Sequence, residues 1–117
     1  MVVFFFDTSA IIKRYIDETG TPWVQAVADS AANQIYLAGI SAVEVTSALA
    51  RRLPARNISA TDVAAVLARF RQDRSLDYRI IDTTPAILAD AERLAEAHAL
   101  RANDAIQLAS AVGLRAK

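Results

Sequence analysis

The chain opens on an unbroken apolar run, Val2-Val3-Phe4-Phe5-Phe6, whose residues are all β-branched or aromatic and which Asp7 stops at once. A run that is apolar on both faces predicts a buried central strand of a parallel sheet. It is too short to cross a bilayer and lacks the charged start of a signal peptide. This feature favours an α/β fold and places a carboxylate at the end of the first strand.

The rest of the chain alternates short strand candidates with amphipathic helical segments. Strands are predicted over residues 2–6, 35–38 and 78–81, and helices over 10–15, 23–32, 41–53, a segment capped by Ser59, 85–98 and 102–112, with Pro54 ending the third helix. Strands interleaved with helices are typical of an α/β domain with a mainly parallel sheet. Without a linker or an internal repeat, residues 1–117 are predicted to form one domain.

Composition narrows the classes of function. Apolar residues make up 54% and charged residues 22% of the 117 residues, which excludes a disordered chain. The formal net charge is zero, so any binding of nucleic acid needs a local basic patch. Cysteine is absent, which excludes disulfides and thiolate metal sites. We expect a soluble cytoplasmic domain that does not enter a membrane.

Acidic residues follow the predicted strands, where ligands bind in parallel α/β sheets. They are Asp7, Glu44 and Asp82, and a further acid, Asp104, lies in the first turn of the final helix. Each also has a purely structural interpretation. Asp7 and Asp104 suit helix N-termini, Asp82 suits a turn, and Ser41 with Glu44 fits a capping box.

The surroundings of three of these acids favour chemistry over capping. Asp7 ends an apolar strand, Glu44 lies in a stretch rich in Ala and Val, and Asp104 precedes Ala105-Ile106. We therefore predict half-buried carboxylates, which are costly unless a positive charge neutralises them. Mg²⁺ or Mn²⁺ suits such oxygen ligands and engages phosphate oxygens. Water activated by such a metal can attack a phosphodiester.

Three stretches of the sequence resemble one family. FDTSAIIK (6–13) looks like the opening strand and turn of PIN-domain ribonucleases of the VapC toxin type, and SAVEVTSALARR (41–52) and LRANDAIQLASA (100–111) are similar to their second and third motifs. The motifs stand in the family's order and span the chain. The resemblance implies a PIN-like three-layer α/β/α domain, with a small, mainly parallel sheet flanked by helices.

The resemblance also implies site residues and partners. Asp7, Glu44 and Asp104 become the catalytic, metal-binding acids, and the hydroxyl of Thr8 or Ser9 supports the water around the metal. Such toxins are Mg²⁺-dependent endoribonucleases, usually homodimers, and are neutralised by a VapB-like antitoxin. Mn²⁺ is an alternative metal.

One departure from the family concerns the end of the chain. Family members continue past the last helix into another strand, which carries a fourth acid or a Ser/Thr-Asp pair. This sequence ends at Lys117. We therefore expect the C-terminal strand to be missing, through truncation or because this member is natively short, and the metal site to lack one acid.

The basic residues are concentrated in the middle of the chain. Residues 51–79 hold seven arginines and three aspartates, a net charge of +4. Arg51 and Arg52, within two turns of Glu44, are the first candidates for contact with RNA phosphates, and Lys13 and Arg14 are the second. The alternative is a solvated helix face.

Two other functions stay open at this point. A catalytically weak or inactive PIN-like module could act by binding a protein partner, with the acids serving as helix caps. A receiver-type phosphoacceptor domain has a similar length, but it needs an acidic pair after its first strand. Here Asp7 is followed by Thr8-Ser9.

Overall fold

The structure is a computed structural model that describes residues 2–115. The strands are β1 (Val2–Phe5), β2 (Asn33–Ala38) and β3 (Tyr78–Ile81). The helices are α1 (Thr8–Ile12), α2 (Thr21–Asp29), α3 (Ser41–Ala55), α4 (Ala60–Leu76), α5 (Pro85–His98) and α6 (Ala102–Arg115). This is the predicted β-α-α-β-α-α-β-α-α order, and it forms an α/β fold consistent with a PIN-like three-layer domain.

The three strands are parallel and lie in the order β1-β2-β3. The prediction that the opening run is the central strand is wrong for this sheet, because β2 is central and β1 lies at an edge. Leu37 of β2 is fully buried, whereas Val2 and Val3 are 52% and 47% exposed. Apolarity on both faces of a segment does not by itself fix the position of a strand within a sheet. α6 extends to Arg115, so the expectation about a strand after it concerns positions that lie outside the described residues.

The buried residues form two separate clusters. The main core packs the sheet against the helices, and its largest fully buried side chains are Phe70, Ile11, Leu37 and Leu49. The smaller cluster lies between α5 and α6 and is centred on Ala91, Ala105 and Ala109. Small side chains let these two helices approach closely, so α6 reaches the site from a helical hairpin with its own core.

Several helix boundaries follow from local chemistry. Ser59 caps α4, and the hydroxyl of Thr84 caps α5 by accepting from the Ile87 amide. The prediction that Pro54 ends α3 is wrong, because the helix runs to Ala55. Asn57, with φ of 62°, ends this helix instead, and the Ile58 amide bonds back to the Leu53 carbonyl.

The length and apolar character of the helices decide whether any of them can span a membrane. None of those within residues 2–115 combines the length and the apolar character that a bilayer crossing requires.

Candidate functional site

The three predicted acids line a single cleft of about 670 Å³. Asp7 follows β1 and Glu44 lies in the first turn of α3. Asp104 lies in the first turn of α6. The rest of the lining comprises Thr8, Ser9, Ala10, Phe4, Phe5, Phe6, Trp23, Gln107, Leu108 and Ala111. The fold therefore brings acids from three distant sequence motifs to one place.

The exposure of these acids differs from the prediction. Glu44 is half-buried as expected, but Asp7 and Asp104 are exposed. The prediction of half-buried carboxylates is wrong for these two because both lie where solvent reaches the cleft. A metal is therefore not needed to offset burial of Asp7 or Asp104. Within residues 2–115, no three histidine, cysteine or acidic side chains are close enough to form a ready-made metal site.

Asp7 combines the structural and the functional interpretation. Its backbone is extended, and its Oδ1 accepts a 2.9 Å hydrogen bond from the Ala10 amide, so it is the N-cap of α1. Its carboxylate also lines the cleft. A cap uses one carboxylate oxygen and leaves the other for a ligand, so the two roles are compatible.

Glu44 does not form the capping box that its spacing from Ser41 allows. The N-cap of α3 is Ile40, with no side-chain cap. Instead, Glu44 Oε1 accepts two 2.9 Å hydrogen bonds, from Thr8 Oγ1 and from Gln107 Nε2. The carboxylate is therefore held by α1 and α6 rather than by its own helix.

The donor set of the cleft suits a hard divalent cation. Mg²⁺ is usually held by one or two carboxylates and keeps several of its waters. Asp7, Glu44 and Asp104 supply carboxylate oxygens around an open, solvent-reached space, which is the chemistry that such an ion requires. These residues fit Mg²⁺ or Mn²⁺ by ligand type.

Arg14, one of the candidates for RNA contact, is turned into the protein. It is only 8% exposed and donates to Tyr78 Oη at 2.8 Å and to Asp77 Oδ2 at 3.1 Å. Tyr15 Oη lies 2.9 Å from Tyr78 Oη and donates to Asp73 Oδ2 at 2.8 Å. The charge of Arg14 thus joins the segment after α1 to the end of α4 and the start of β3. This geometry argues against a contact between Arg14 and RNA.

The other three basic candidates stay closer to the surface. Arg51 is exposed, whereas Arg52 is partly buried and pairs with Glu18 at 3.2 Å. The Lys13 stem lies beside Gly20. In the described part of the chain, the cleft lining includes none of these residues or Arg14. A contribution from Arg51 or Arg52 would therefore come from outside the cleft.

Two lining residues are not among the site residues predicted from the sequence. Trp23 is 58% exposed on the cleft wall, packed edge-to-face on Phe4. Gln107 was not singled out at all. It follows Asp104 by three positions, so the two share a face of α6, and this spacing is the signal that could have found it.

The chain is similar to proteins of a known family. The family model described as the PIN domain matches residues 4–117. Ribonuclease VapC45 and ribonuclease VapC49, from two strains of Mycobacterium tuberculosis (CDC 1551 / Oshkosh and ATCC 25618 / H37Rv), are each 31% identical over 114 residues. Each alignment covers 97% of this chain and 78% of the relative.

Proposed function

Because this chain belongs to the PIN-domain family, we propose that it is a metal-dependent endoribonuclease toxin that hydrolyses RNA phosphodiester bonds. The observation that carries the proposal is the lining of one cleft by Asp7, Glu44 and Asp104. Each acid comes from a different motif, and helix capping alone does not require the three to share a cleft.

The proposed roles follow from the surroundings of each side chain. Asp7, Glu44 and Asp104 would hold Mg²⁺ or Mn²⁺, which supplies Lewis-acid stabilisation of the charge developing on the phosphate and lowers the pKa of water. Thr8 is committed to Glu44, which leaves the exposed Ser9 as the better hydroxyl for orienting water. Water replaces the leaving sugar oxygen at phosphorus, so no covalent enzyme intermediate forms.

Phosphate contact is assigned to Arg51 first. It is exposed on α3, the helix that carries Glu44, whereas Arg52 shares its charge with Glu18. Lys13 follows α1 and is a second candidate. Exposed arginine favours phosphate oxygens because its guanidinium offers a planar set of donors.

The resemblance to VapC-type toxins motivates proposals about partners and location. We propose a VapB-like antitoxin, a homodimer and a cytoplasmic location. Exposed apolar side chains support a protein partner, since Val43 and Leu76 are 71% and 72% exposed. Val43 is also part of the lining of an open groove of about 350 Å³, together with Ala42, Thr46, Ser47 and Arg74.

The direct test is cleavage of RNA by the purified protein with Mg²⁺, with EDTA, and with EDTA followed by excess Mg²⁺. We expect cleavage in the first and third conditions only. A single-stranded DNA of the same base sequence is the substrate control. Cleavage that persists in EDTA would contradict the metal mechanism.

A second candidate is a binding module without catalysis. The observation that favours it is the lack, within residues 2–115, of three metal-ligating side chains in one close group. Calorimetric titration with Mn²⁺ distinguishes the two functions. Absence of binding, together with an unchanged melting temperature in Mn²⁺, would favour the binding module.

A further inference from the structure

Gln107 lies at the centre of a buried polar contact that joins three helices. It is 8% exposed, and its Nε2 lies 2.9 Å from Glu44 Oε1, 2.9 Å from Ser41 Oγ and 3.2 Å from Thr8 Oγ1. Ser41 is fully buried. Gln107 belongs to α6, while its partners belong to α1 and α3, so a single amide connects the helices that carry the acids.

The orientation of this amide follows from Glu44. A carboxylate only accepts hydrogen bonds, so the nitrogen of Gln107, and not its oxygen, must face Glu44. This orientation leaves the other end of the amide unsatisfied, since Gln107 Oε1 is buried without a hydrogen-bond partner among residues 2–115. Turning the amide over would place two oxygens against each other, which is less favourable still. The amide orientation therefore satisfies the Glu44 carboxylate and leaves the Gln107 oxygen without a hydrogen bond.

The hydrogen bonds to Glu44 converge on one of its two oxygens. Thr8 Oγ1 and Gln107 Nε2 both donate to Oε1, each at 2.9 Å. Two donors from two other helices fix the side-chain rotamer, and the cleft-facing carboxylate retains Oε2 for a ligand. Gln107 also lies one turn after Asp104, so the same contact sets the distance between α6 and α3.

We propose that Gln107 is a positioning residue that orients Glu44, and through α6 also Asp104, for binding a divalent cation. This inference rests on the proposed function. Groups that hydrogen-bond to metal ligands commonly change metal affinity or activity about 10- to 100-fold when they are mutated. The alternative is that Gln107 contributes only to packing and stability.

The test compares Gln107→Met with Ser110→Ala. Met has similar length but no donor. Ser110 is a fully buried residue of the same helix, and its hydroxyl donates to the Ile106 carbonyl of that helix and, among residues 2–115, to no other element. Mn²⁺ affinity is measured by calorimetry without RNA, beside thermal unfolding. We expect about 10- to 100-fold weaker Mn²⁺ binding by Gln107→Met and unchanged binding by Ser110→Ala.

Two further variants separate positioning from stability. Gln107→His keeps an N–H donor of similar reach, and we expect it to restore most of the affinity. Gln107→Asn keeps the amide but shortens the side chain, so it should lose affinity as Met does, and it serves as the test if Gln107→Met does not fold. An equal loss in the His and Met variants would overturn the role of the donor.

The outcomes distinguish this inference from the proposed function. Normal Mn²⁺ binding by folded Gln107→Met or Gln107→Asn overturns the inference and leaves the function standing. A wild-type protein that binds no Mn²⁺ and cleaves no RNA overturns both.

Discussion

The hydroxyl of Thr8 donates a 2.9 Å hydrogen bond to Oε1 of Glu44, a residue 36 positions later in the chain. Thr8 begins α1 directly after the cap Asp7, and Glu44 lies in the first turn of α3. The bond therefore ties two helix starts together beside the cleft. It also explains why the Glu44 side chain does not bond back to the start of α3 in a capping box.

The Thr8 bond predicts the behaviour of two variants. Thr8→Val keeps the shape but removes one donor to Glu44, and we expect about tenfold lower RNA cleavage with a loss of about 1 kcal/mol in the free energy of unfolding. Thr8→Ser keeps the hydroxyl and should cleave RNA at close to the wild-type rate. Initial rates and urea denaturation measure both effects. Equal activity of the Val and Ser variants would show that the bond does not matter for cleavage.

Asp7→Asn is expected to remove RNA cleavage without unfolding the protein. Asparagine caps a helix as well as aspartate does, so the α1 start survives, but the charge needed to hold a cation is lost. We expect at least about a hundredfold loss of rate and unchanged circular dichroism. The control is Asp82→Asn, because Asp82 also follows a strand yet lies outside the cleft lining. A similar loss of cleavage rate in Asp82→Asn would contradict a specific role of Asp7 in the cleft.

Arg14→Met is expected to cost stability strongly. The guanidinium donates a hydrogen bond to Tyr78 and forms ion pairs with Asp77 and, at 3.5 Å, with Asp73, whose side chain is 14% exposed. Removing one partner from such a buried group leaves uncompensated charge, and we expect a loss of about 3 kcal/mol in urea denaturation. In Arg52→Met, the more exposed pair with Glu18 is broken, and the loss should be below about 1 kcal/mol. Equal losses of unfolding free energy in the two variants would show that burial does not make the Arg14 contacts more important than the Arg52–Glu18 pair.

Two tyrosines, the partly buried Tyr15 and the buried Tyr78, are expected to make stability fall at high pH. Burial raises the pKa of Tyr15, with Tyr78 and Asp73 adding to the effect. Burial also raises the pKa of Tyr78, despite the hydrogen bond that Arg14 donates to its hydroxyl. In the unfolded chain a tyrosine ionises near about pH 10. Because the folded pKa values lie higher, this stabilisation is complete below about pH 10 and is lost as pH rises through the folded values.

The measurement is urea denaturation between pH 8 and pH 11, which are about two units below and one unit above the unfolded tyrosine pKa. Stability should decline above about pH 10, and less steeply in Tyr15→Phe. Tyrosinate absorbance from these two residues should be missing in the folded protein at the upper end of this range and appear on unfolding. Absorbance from more than one of the three tyrosines in the folded state would show that Tyr15 or Tyr78 is accessible to base.

Local patterns in the sequence were sufficient for most of the elements. The bounds of β3 and α5 agree with prediction because Thr84 and Pro85 give a clear start signal and the strand before them is short and apolar. The bounds of α1 and α3 differ. Asp7 rather than Thr8 or Ser9 caps α1, so the helix begins before the predicted residue 10, and Pro54 fits within the last turn of α3. Such differences arise where two local signals compete.

The sequence by itself determined the order of the elements, the α/β class and the acids at the three motifs, because periodicity and capping act within a few residues. The tertiary structure decided that β1 lies at the sheet edge, that Arg14 points inward, and that Gln107 meets Glu44 63 positions away. These outcomes depend on how helices and strands pack across the whole chain. A local pattern carries no information about which distant side chain will fill the space beside it.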